Sequence, residues 1–164
     1  FGDRISAILD GGPCQVGLES TIVGFDGNTP VVYRKGGISI EEIEKVVGTV
    51  QLLTENETAP QAPGMLLKHY SPRTPLVISD DLQKSLQIHA NKRVGVLCFY
   101  SDDFSGVEIV KVLSPSKNLE EVARILFATL HELDTLNLDL IIAERFPDEG
   151  LGASINDRLF RAQN

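Results

Sequence analysis

The first 48 residues open with the alternation of apolar and turn-forming segments that is typical of a β-hairpin. Residues 20–25 are β-branched and aromatic, and residues 31–34 are similar in composition, so we predict a strand for each. Residues 26–30 between them are rich in turn-forming types. Residues 5–9, which precede the hairpin, form an apolar run that we interpret as the interior of a strand or helix.

A short helix is predicted after the hairpin. Ser39 and Glu42 have the spacing of a capping box, in which each side chain bonds to the other residue's backbone N–H. Gly48 occupies the position where glycine commonly ends a helix. The apolar face of this helix is formed by residues at helical spacing, namely Ile40, Ile43, Val46 and Val47.

Residues 49–75 begin with a short apolar segment and then become polar and rich in proline. Four of the chain's eight prolines lie between residues 60 and 75. Proline favours extended backbone and prevents long helices, so we interpret this region as an ordered or semi-rigid connector between two domains.

Strand and helix patterns alternate from residue 76 to residue 164. Strand patterns occupy residues 76–78, 93–99, 108–113 and 138–143. One helix, capped by Asp80, is predicted to run to about Ala90. A second follows a capping box of Asn118 and Glu121, and a third covers residues 154–161. Such alternation predicts an α/β fold with a mainly parallel sheet and helices on both faces, Rossmann-like in architecture.

Composition and charge exclude several classes of protein. The 164 residues are 42% hydrophobic and 23% charged, which is enough for one good core or two small ones. No apolar run approaches the ~20 residues of a membrane-spanning helix. A formal net charge of −8 argues against nucleic-acid binding over the whole surface. We expect Cys14 and Cys98 to be buried free thiols of a cytosolic protein, because their separation matches no metal site.

Three segments carry residues suited to ligand binding. Residues 11–21 combine glycines with the hydroxyls of Ser20 and Thr21, and residues 33–37 place Arg34 beside two glycines. Residues 68–73 contain a lysine, a histidine, a tyrosine and an arginine, with no acidic residue from 58 to 79. Each segment also has a plain structural interpretation: a turn into a hairpin, a solvated strand end and a packed linker. No residues are arranged as a catalytic triad or a metal cluster in the sequence.

Taken together, these segments resemble one family. The residues are ILDGGPC (8–14), GLESTIV (17–23), YRKGGI (33–38), PGMLLKHYSP (63–72) and GLGASINDRLFRA (150–162). In this order they resemble the threonylcarbamoyl-AMP synthase family in its long, two-domain, YrdC-type form. The resemblance covers essentially the whole chain. It implies that residues 1–48 end a YrdC-like catalytic domain, residues 49–75 form the linker, and residues 76–164 form a Rossmann-like accessory domain.

The family implies a defined reaction. L-Threonine and bicarbonate (or CO₂) give a carbamate, which attacks the α-phosphate of ATP to form threonylcarbamoyl-AMP and pyrophosphate, normally with Mg²⁺. A separate tRNA threonylcarbamoyl transferase machinery then modifies tRNA, so that tRNA is an indirect partner. The resemblance also implies a cytoplasmic protein without membrane contact.

The resemblance also implies roles for individual residues. Ser20 matches the serine that contacts L-threonine, whereas Arg34 and Tyr70 match residues that contact ATP. Thr21 and His69 are weaker candidates beside them. The family usually has Leu-Arg-Pro-Gly where this chain has YRKG (33–36), so the local turn differs.

The family's Lys-x-Arg phosphate-binding region and its Ser-Ala-Asn-like segment are absent from these residues. We therefore expect a C-terminal fragment that is inactive alone, with an active full-length parent. An alternative is a nucleotide- or double-stranded-RNA-binding or regulatory module without catalysis. Because residues 1–48 are too few to bury a core, we expect exposed apolar strand faces there, covered by the second domain or by a neighbouring chain, as in a homodimer.

Overall fold

A small mixed sheet forms the N-terminal part of the protein. The structure is a computed structural model that describes residues 4–12, 14–53, 71–101, 103–104 and 106–163. Strands β1 (Ile22–Asp26) and β2 (Thr29–Arg34) are antiparallel, and β3 (Gln51–Leu52) pairs with β2 in parallel. Gly27, at the first position of the two-residue turn, has a φ of 58°, which glycine adopts without steric cost. The predicted hairpin is confirmed.

Helix α1 (Ile40–Val47) begins and ends where the sequence predicts. Ser39 accepts a hydrogen bond from the Glu42 backbone N–H, the Glu42 carboxylate accepts one from the Ser39 N–H, and Gly48 ends the helix. Its apolar face is not buried against the described residues, since Val46 is 84% exposed. The strand residues Val23 and Phe25 are also exposed, at 40% and 65%. The expectation of exposed apolar faces is confirmed for these described residues, whereas their covering by the second domain or by a neighbouring chain stays a prediction.

Two expectations about the first residues are wrong. Residues 5–12 form neither a strand nor a helix, and Leu9 is 98% exposed. The apolar run has no sheet partner in the described part of the chain, and an unpaired strand leaves its backbone groups unsatisfied. Cys14 is exposed, whereas Cys98 is buried as expected, and neither of these two cysteines forms a disulfide.

The C-terminal part is built on a four-stranded parallel sheet. Its elements are β4 (Leu76–Ser79), α2 (Leu82–Ile88), β5 (Val94–Cys98), β6 (Ile109–Val112), α3 (Leu119–Asp134), β7 (Leu140–Glu144) and α4 (Leu151–Ala162). The strand order is β4-β7-β5-β6, and every pair is parallel. Nearly continuous apolar strands such as β5 and β7 are typical of a sheet that is covered on both faces.

Two apolar clusters cover the two faces of this sheet. On one face, α3 and α4 contribute fully buried side chains, among them Leu126, Leu133 and Ile155. On the other face, Leu82 of α2 packs with Val96 and Ile142. The prediction of an α/β fold with a parallel sheet and helices on both faces is confirmed.

The starts of two helices differ in detail from the prediction. Asp81, and not Asp80, caps α2 by accepting a hydrogen bond from the Lys84 N–H. Asn118 caps α3, but the Glu121 carboxylate accepts hydrogen bonds from the Ser114 and Ser116 hydroxyls and so does not complete a capping box. The Asn118 backbone N–H, which a capping box would bond to Glu121, donates instead to the Ser114 hydroxyl at 2.8 Å.

The described residues do not include 54–70. The predicted linker therefore lies largely outside them, as do His69 and Tyr70. Among the helices of the described part, none has the length and the apolar composition that crossing a membrane would require.

Candidate functional site

Ser20 and Arg34 come together at the open end of the hairpin. Arg34 Nε donates to the backbone oxygen of Ser20 at 3.0 Å, and Nη2 donates to the Ser20 hydroxyl, also at 3.0 Å. Ser20 is exposed and Arg34 is half-buried. A guanidinium held in one orientation next to an exposed hydroxyl is suited to binding an anionic group together with a hydrogen-bonding one.

Backbone contacts hold the segment before β1 against the segment after β2. The Gly37 N–H donates to the Glu19 carbonyl at 2.9 Å. The Thr21 hydroxyl donates to the Ile38 carbonyl at 2.7 Å and accepts from the Ile38 N–H at 3.0 Å. Thr21 therefore lies beside Ser20, with its hydroxyl engaged in fixing the backbone. Whether it also contacts a substrate stays a prediction.

Gly36 is required by the closeness of these two segments. A Cβ atom at Gly36 would lie 2.3 Å from the Glu19 backbone oxygen and 2.4 Å from the Thr21 backbone nitrogen. Both are backbone atoms, which cannot move aside as the end of a long side chain can. The glycine after Arg34 and Lys35 therefore serves close packing of the chain, because no side chain fits there.

A buried arginine from α4 lies beneath this site. Arg158 is 4% exposed. Its Nε donates to the Glu19 carboxylate at 2.5 Å, and its Nη2 donates to the Lys35 carbonyl at 2.9 Å. Beside it, the Ser154 hydroxyl donates to the Gly36 carbonyl at 2.9 Å.

Arg158 is not among the residues predicted for the site, although a signal for it is present in the sequence. Arg158 lies three residues after Ile155, on the face of α4 that also carries Leu159 and Ala162, all of which are buried. A charged residue at a core position of an amphipathic helix must be paired, because an isolated buried charge is costly. Its position therefore indicated a partner elsewhere in the chain.

A carboxylate from α1 makes a further contact across the same boundary. Glu41 accepts a hydrogen bond from the Gly150 N–H at the start of α4, at 3.1 Å. Backbone hydrogen bonds, from its own N–H and from Gly150, lower the pKa of Glu41 from its ordinary value. The contact joins two helix starts and does not reach the Ser20–Arg34 pair.

The remaining candidate residues, His69 and Tyr70, lie outside the described residues. Ser71, the next residue, donates its hydroxyl to the Arg161 carbonyl of α4 at 3.1 Å. Within the described residues, no three histidine, cysteine, aspartate or glutamate side chains are grouped as ligands for a metal ion.

Comparison with known proteins identifies the family. Residues 38–163 match the family model described as threonylcarbamoyl-AMP synthase, C-terminal domain. Relatives named threonylcarbamoyl-AMP synthase include those of Bacillus subtilis, 37% identical over 97% of this chain and 49% of the relative, and of Pyrococcus abyssi, 31% identical over 99% of this chain and 50% of the relative. The relative from Schizosaccharomyces pombe is 33% identical over 97% of this chain and 45% of its own length.

Solved structures agree with this comparison. The crystal structure of P. abyssi Sua5 complexed with L-threonine superposes with a TM-score of 0.82 and 32% identity, over 99% of this chain and 50% of that one. A variant of the same protein, in which an adjacent histidine and tyrosine are both replaced by alanine, superposes with a TM-score of 0.81 and 30% identity, over 99% of this chain and 49% of that one. The chain thus spans about half the length of the relatives that it matches. Because the family model covers most of its residues, the chain belongs to the threonylcarbamoyl-AMP synthase C-terminal domain family.

Proposed function

We propose that this chain acts as the C-terminal half of a threonylcarbamoyl-AMP synthase. The observation that carries the proposal is the contact between Ser20 and Arg34, in a chain of this family. This contact joins Ser20, the residue proposed to bind L-threonine, to Arg34, a residue proposed to bind ATP. The structural neighbour that binds L-threonine aligns with almost all of this chain, which supports the choice of substrate.

The proposed reaction is a nucleotidyl transfer. The amine of L-threonine combines with CO₂ from bicarbonate to give a carbamate and a proton. A carbamate oxygen attacks the α-phosphorus of ATP, the bond from that phosphorus to the bridging oxygen breaks, and pyrophosphate leaves. Catalysis of such a step depends on positioning the reactants and on neutralising the phosphate charge.

The residues of this chain would contribute binding and orientation. The Ser20 hydroxyl accepts from Arg34, so its own proton can be donated to a carboxylate of L-threonine. The Arg34 guanidinium supplies positive charge for a phosphate oxygen of ATP. Mg²⁺ would enter bound to ATP, and we assign it no ligand in this chain. Catalytic residues are not proposed among these residues.

Tyr70 is proposed to contact the nucleotide from the linker, and His69 is the weaker candidate beside it. They are the one adjacent histidine–tyrosine pair in this sequence. The P. abyssi variant in which an adjacent histidine and tyrosine are replaced by alanine matches 99% of this chain. The same proposal includes a linker at residues 49–75 and a Rossmann-like character for residues 76–164. It also includes a cytoplasmic location and a homodimer. So does transfer of the product to tRNA by a separate enzyme.

The test uses two proteins: the full product of the reading frame that encodes this chain, and residues 1–164 alone. Each is incubated with ATP, Mg²⁺, bicarbonate and L-threonine, and pyrophosphate and threonylcarbamoyl-AMP are measured. We expect formation of both by the full product only, and loss of both when L-threonine is omitted. A full product without threonine-dependent turnover would refute the proposed function, and robust turnover by residues 1–164 alone would refute the need for a preceding part.

A binding assay with the same full product separates the alternative of a nucleic-acid-binding module. Double-stranded RNA binding that weakens steeply with salt, without threonine-dependent turnover, would favour that module. The net charge of −8 favours the synthase.

A further inference from the structure

Helix α4 touches a sequence neighbour of three candidate residues, namely Ser20, Arg34 and Tyr70. Arg158 contacts Glu19, which precedes Ser20, and Lys35, which follows Arg34. The Arg161 carbonyl accepts from the hydroxyl of Ser71, the residue after Tyr70. Helix α4 thus forms hydrogen bonds to the residues next to three candidate positions, all of which are distant from this helix in sequence.

Arg158 is the centre of this arrangement, because each of its three guanidinium nitrogens donates a hydrogen bond. Nε and Nη2 donate to Glu19 and Lys35, and Nη1 donates to the Asp157 carboxylate at 2.8 Å. Asp157 in turn accepts from Arg161 at 3.0 Å. Two carboxylates therefore compensate a guanidinium that is almost completely withdrawn from water, as a buried charge requires.

The planar shape of the guanidinium gives these bonds a geometric effect. Its nitrogens lie in a rigid fork, so the position of the Glu19 carboxylate determines where the Lys35 carbonyl can lie. The two bonded groups belong to the two segments that carry Ser20 and Arg34. The distance between the Arg34 guanidinium and the Ser20 hydroxyl therefore depends on how these two segments are aligned.

We propose that Arg158 is a positioning residue for the Ser20–Arg34 site. From α4 it holds the segment of Glu19 and the segment of Lys35 in the one alignment that brings the Ser20 hydroxyl to the Arg34 guanidinium. The C-terminal part thereby influences L-threonine and ATP binding without contacting either. The inference takes the identity of the two ligands from the proposed function. The alignment of the two segments by Arg158 does not depend on that function.

The experiment compares Arg158→Lys, Arg158→Met and Glu19→Gln with the wild type, in the full product of the reading frame. Lysine keeps the charge but cannot bond both segments through a rigid fork. Methionine removes the charge at similar length, and Glu19→Gln keeps an acceptor for Arg158 while removing one compensating charge. The matched control is Arg145→Met, which breaks the ion pair of an exposed arginine with Asp80 in the same part of the protein.

Two measurements are made where circular dichroism shows each variant to be folded. The first is hydrogen–deuterium exchange at the Gly37 and Ile38 amides, which bond to the Glu19 carbonyl and the Thr21 hydroxyl. In Arg158→Lys we expect exchange at both to become about tenfold faster or more, the effect of losing one hydrogen bond to a charged group. Arg145→Met should leave exchange at these two amides unchanged.

The second measurement is steady-state kinetics. We expect Arg158→Lys to raise the KM for L-threonine and for ATP, each by about tenfold, with a smaller change in kcat. If Arg158 only holds the two parts of the protein together, its substitution would lower the melting temperature and leave both KM values of the folded variant unchanged. That result would overturn the proposal, as would unchanged exchange at Gly37 and Ile38.

The two proposals can fail separately. If the wild-type full product shows no threonine-dependent turnover, the proposed function fails, and the exchange measurement still decides whether Arg158 aligns the two segments. If Arg158→Met does not fold, Arg158→Lys and Glu19→Gln provide the same comparison.

Discussion

The Arg34 guanidinium donates hydrogen bonds to both the backbone oxygen and the hydroxyl of Ser20, at 3.0 Å each, although fourteen positions separate the two residues. The backbone bond fixes the guanidinium, and the side-chain bond orients the hydroxyl. A ligand that binds Ser20 therefore meets a positive charge at a defined distance. This relationship predicts that the two residues act together in binding.

Substituting Arg34 tests this relationship. Arg34→Lys keeps a positive charge but cannot bond the Ser20 oxygen and hydroxyl through parallel N–H groups. We expect kcat/KM of the full product to fall about tenfold or more, since charge-assisted hydrogen bonds are lost. The measurement is threonine-dependent pyrophosphate release. Lys35→Ala is the matched control: Lys35 contacts Arg158 through its backbone carbonyl, so activity should stay near that of the wild type. Equal losses in both variants would contradict the prediction.

Gly36→Ala should destabilise the N-terminal sheet. The added Cβ would meet the backbone of Glu19, Ser20 and Thr21 at 2.3 to 2.5 Å, so the two segments must separate. Overpacking of this kind typically costs about 1–3 kcal/mol. We expect a lower thermal unfolding midpoint by calorimetry, together with weaker ATP binding. Gly11→Ala is the control, because a Cβ there meets nothing within 4 Å; similar midpoints for both variants would count against the packing argument.

Tyr70 is predicted to matter more than its neighbour Ser71. Tyr70→Phe or Tyr70→Ala should weaken ATP binding or turnover in the full product, because a tyrosine can stack on the base and donate to a phosphate. Ser71→Ala removes one hydrogen bond to the Arg161 carbonyl and should have a smaller effect. Isothermal titration with ATP and steady-state turnover provide the comparison. Binding and turnover left intact in Tyr70→Ala would show that this segment is only a linker.

Glu121 should make stability depend on pH in acid. Hydrogen bonds from the Ser114 hydroxyl, and then from Ser116, lower the pKa of Glu121 below its ordinary value of 4.5. A carboxyl whose pKa is depressed in the folded state stabilises it above the unfolded-state pKa, and this contribution is lost as pH falls through the folded-state pKa. Glu121→Gln should therefore lower the melting temperature at pH 7, by an amount that shrinks below about pH 4.5.

Melting curves of the wild type and Glu121→Gln from pH 7 to pH 3 would measure this difference. The matched control is Glu120→Gln, which removes a carboxylate from the same helix turn without touching the Ser114 hydroxyl. A difference between wild type and Glu121→Gln that is constant with pH would disprove the linkage.

Local patterns predicted the elements of this protein well. The hairpin, the capping box of Ser39 and Glu42, the helix that follows Asn118, and the parallel sheet are all present, because hydrophobic period and cap chemistry act over a few residues. The predictions that are wrong concern which residues or strands pair with each other. Asp80 was expected to cap α2 but pairs with Arg145, which is distant in sequence. The apolar residues 5–9 form no strand, because a strand requires a neighbour.

The sequence by itself determined the hairpin, α1, the order of the elements from β4 to α4, the family, and the identity of the candidate residues Ser20, Arg34 and Tyr70. Only the tertiary structure decided that Ser20 and Arg34 meet and that Arg158 joins their two segments. The physical reason is distance along the chain. Hydrophobic periods and caps are read over a few residues, whereas a buried guanidinium finds its carboxylate 139 positions away only once the sheet and α4 have packed.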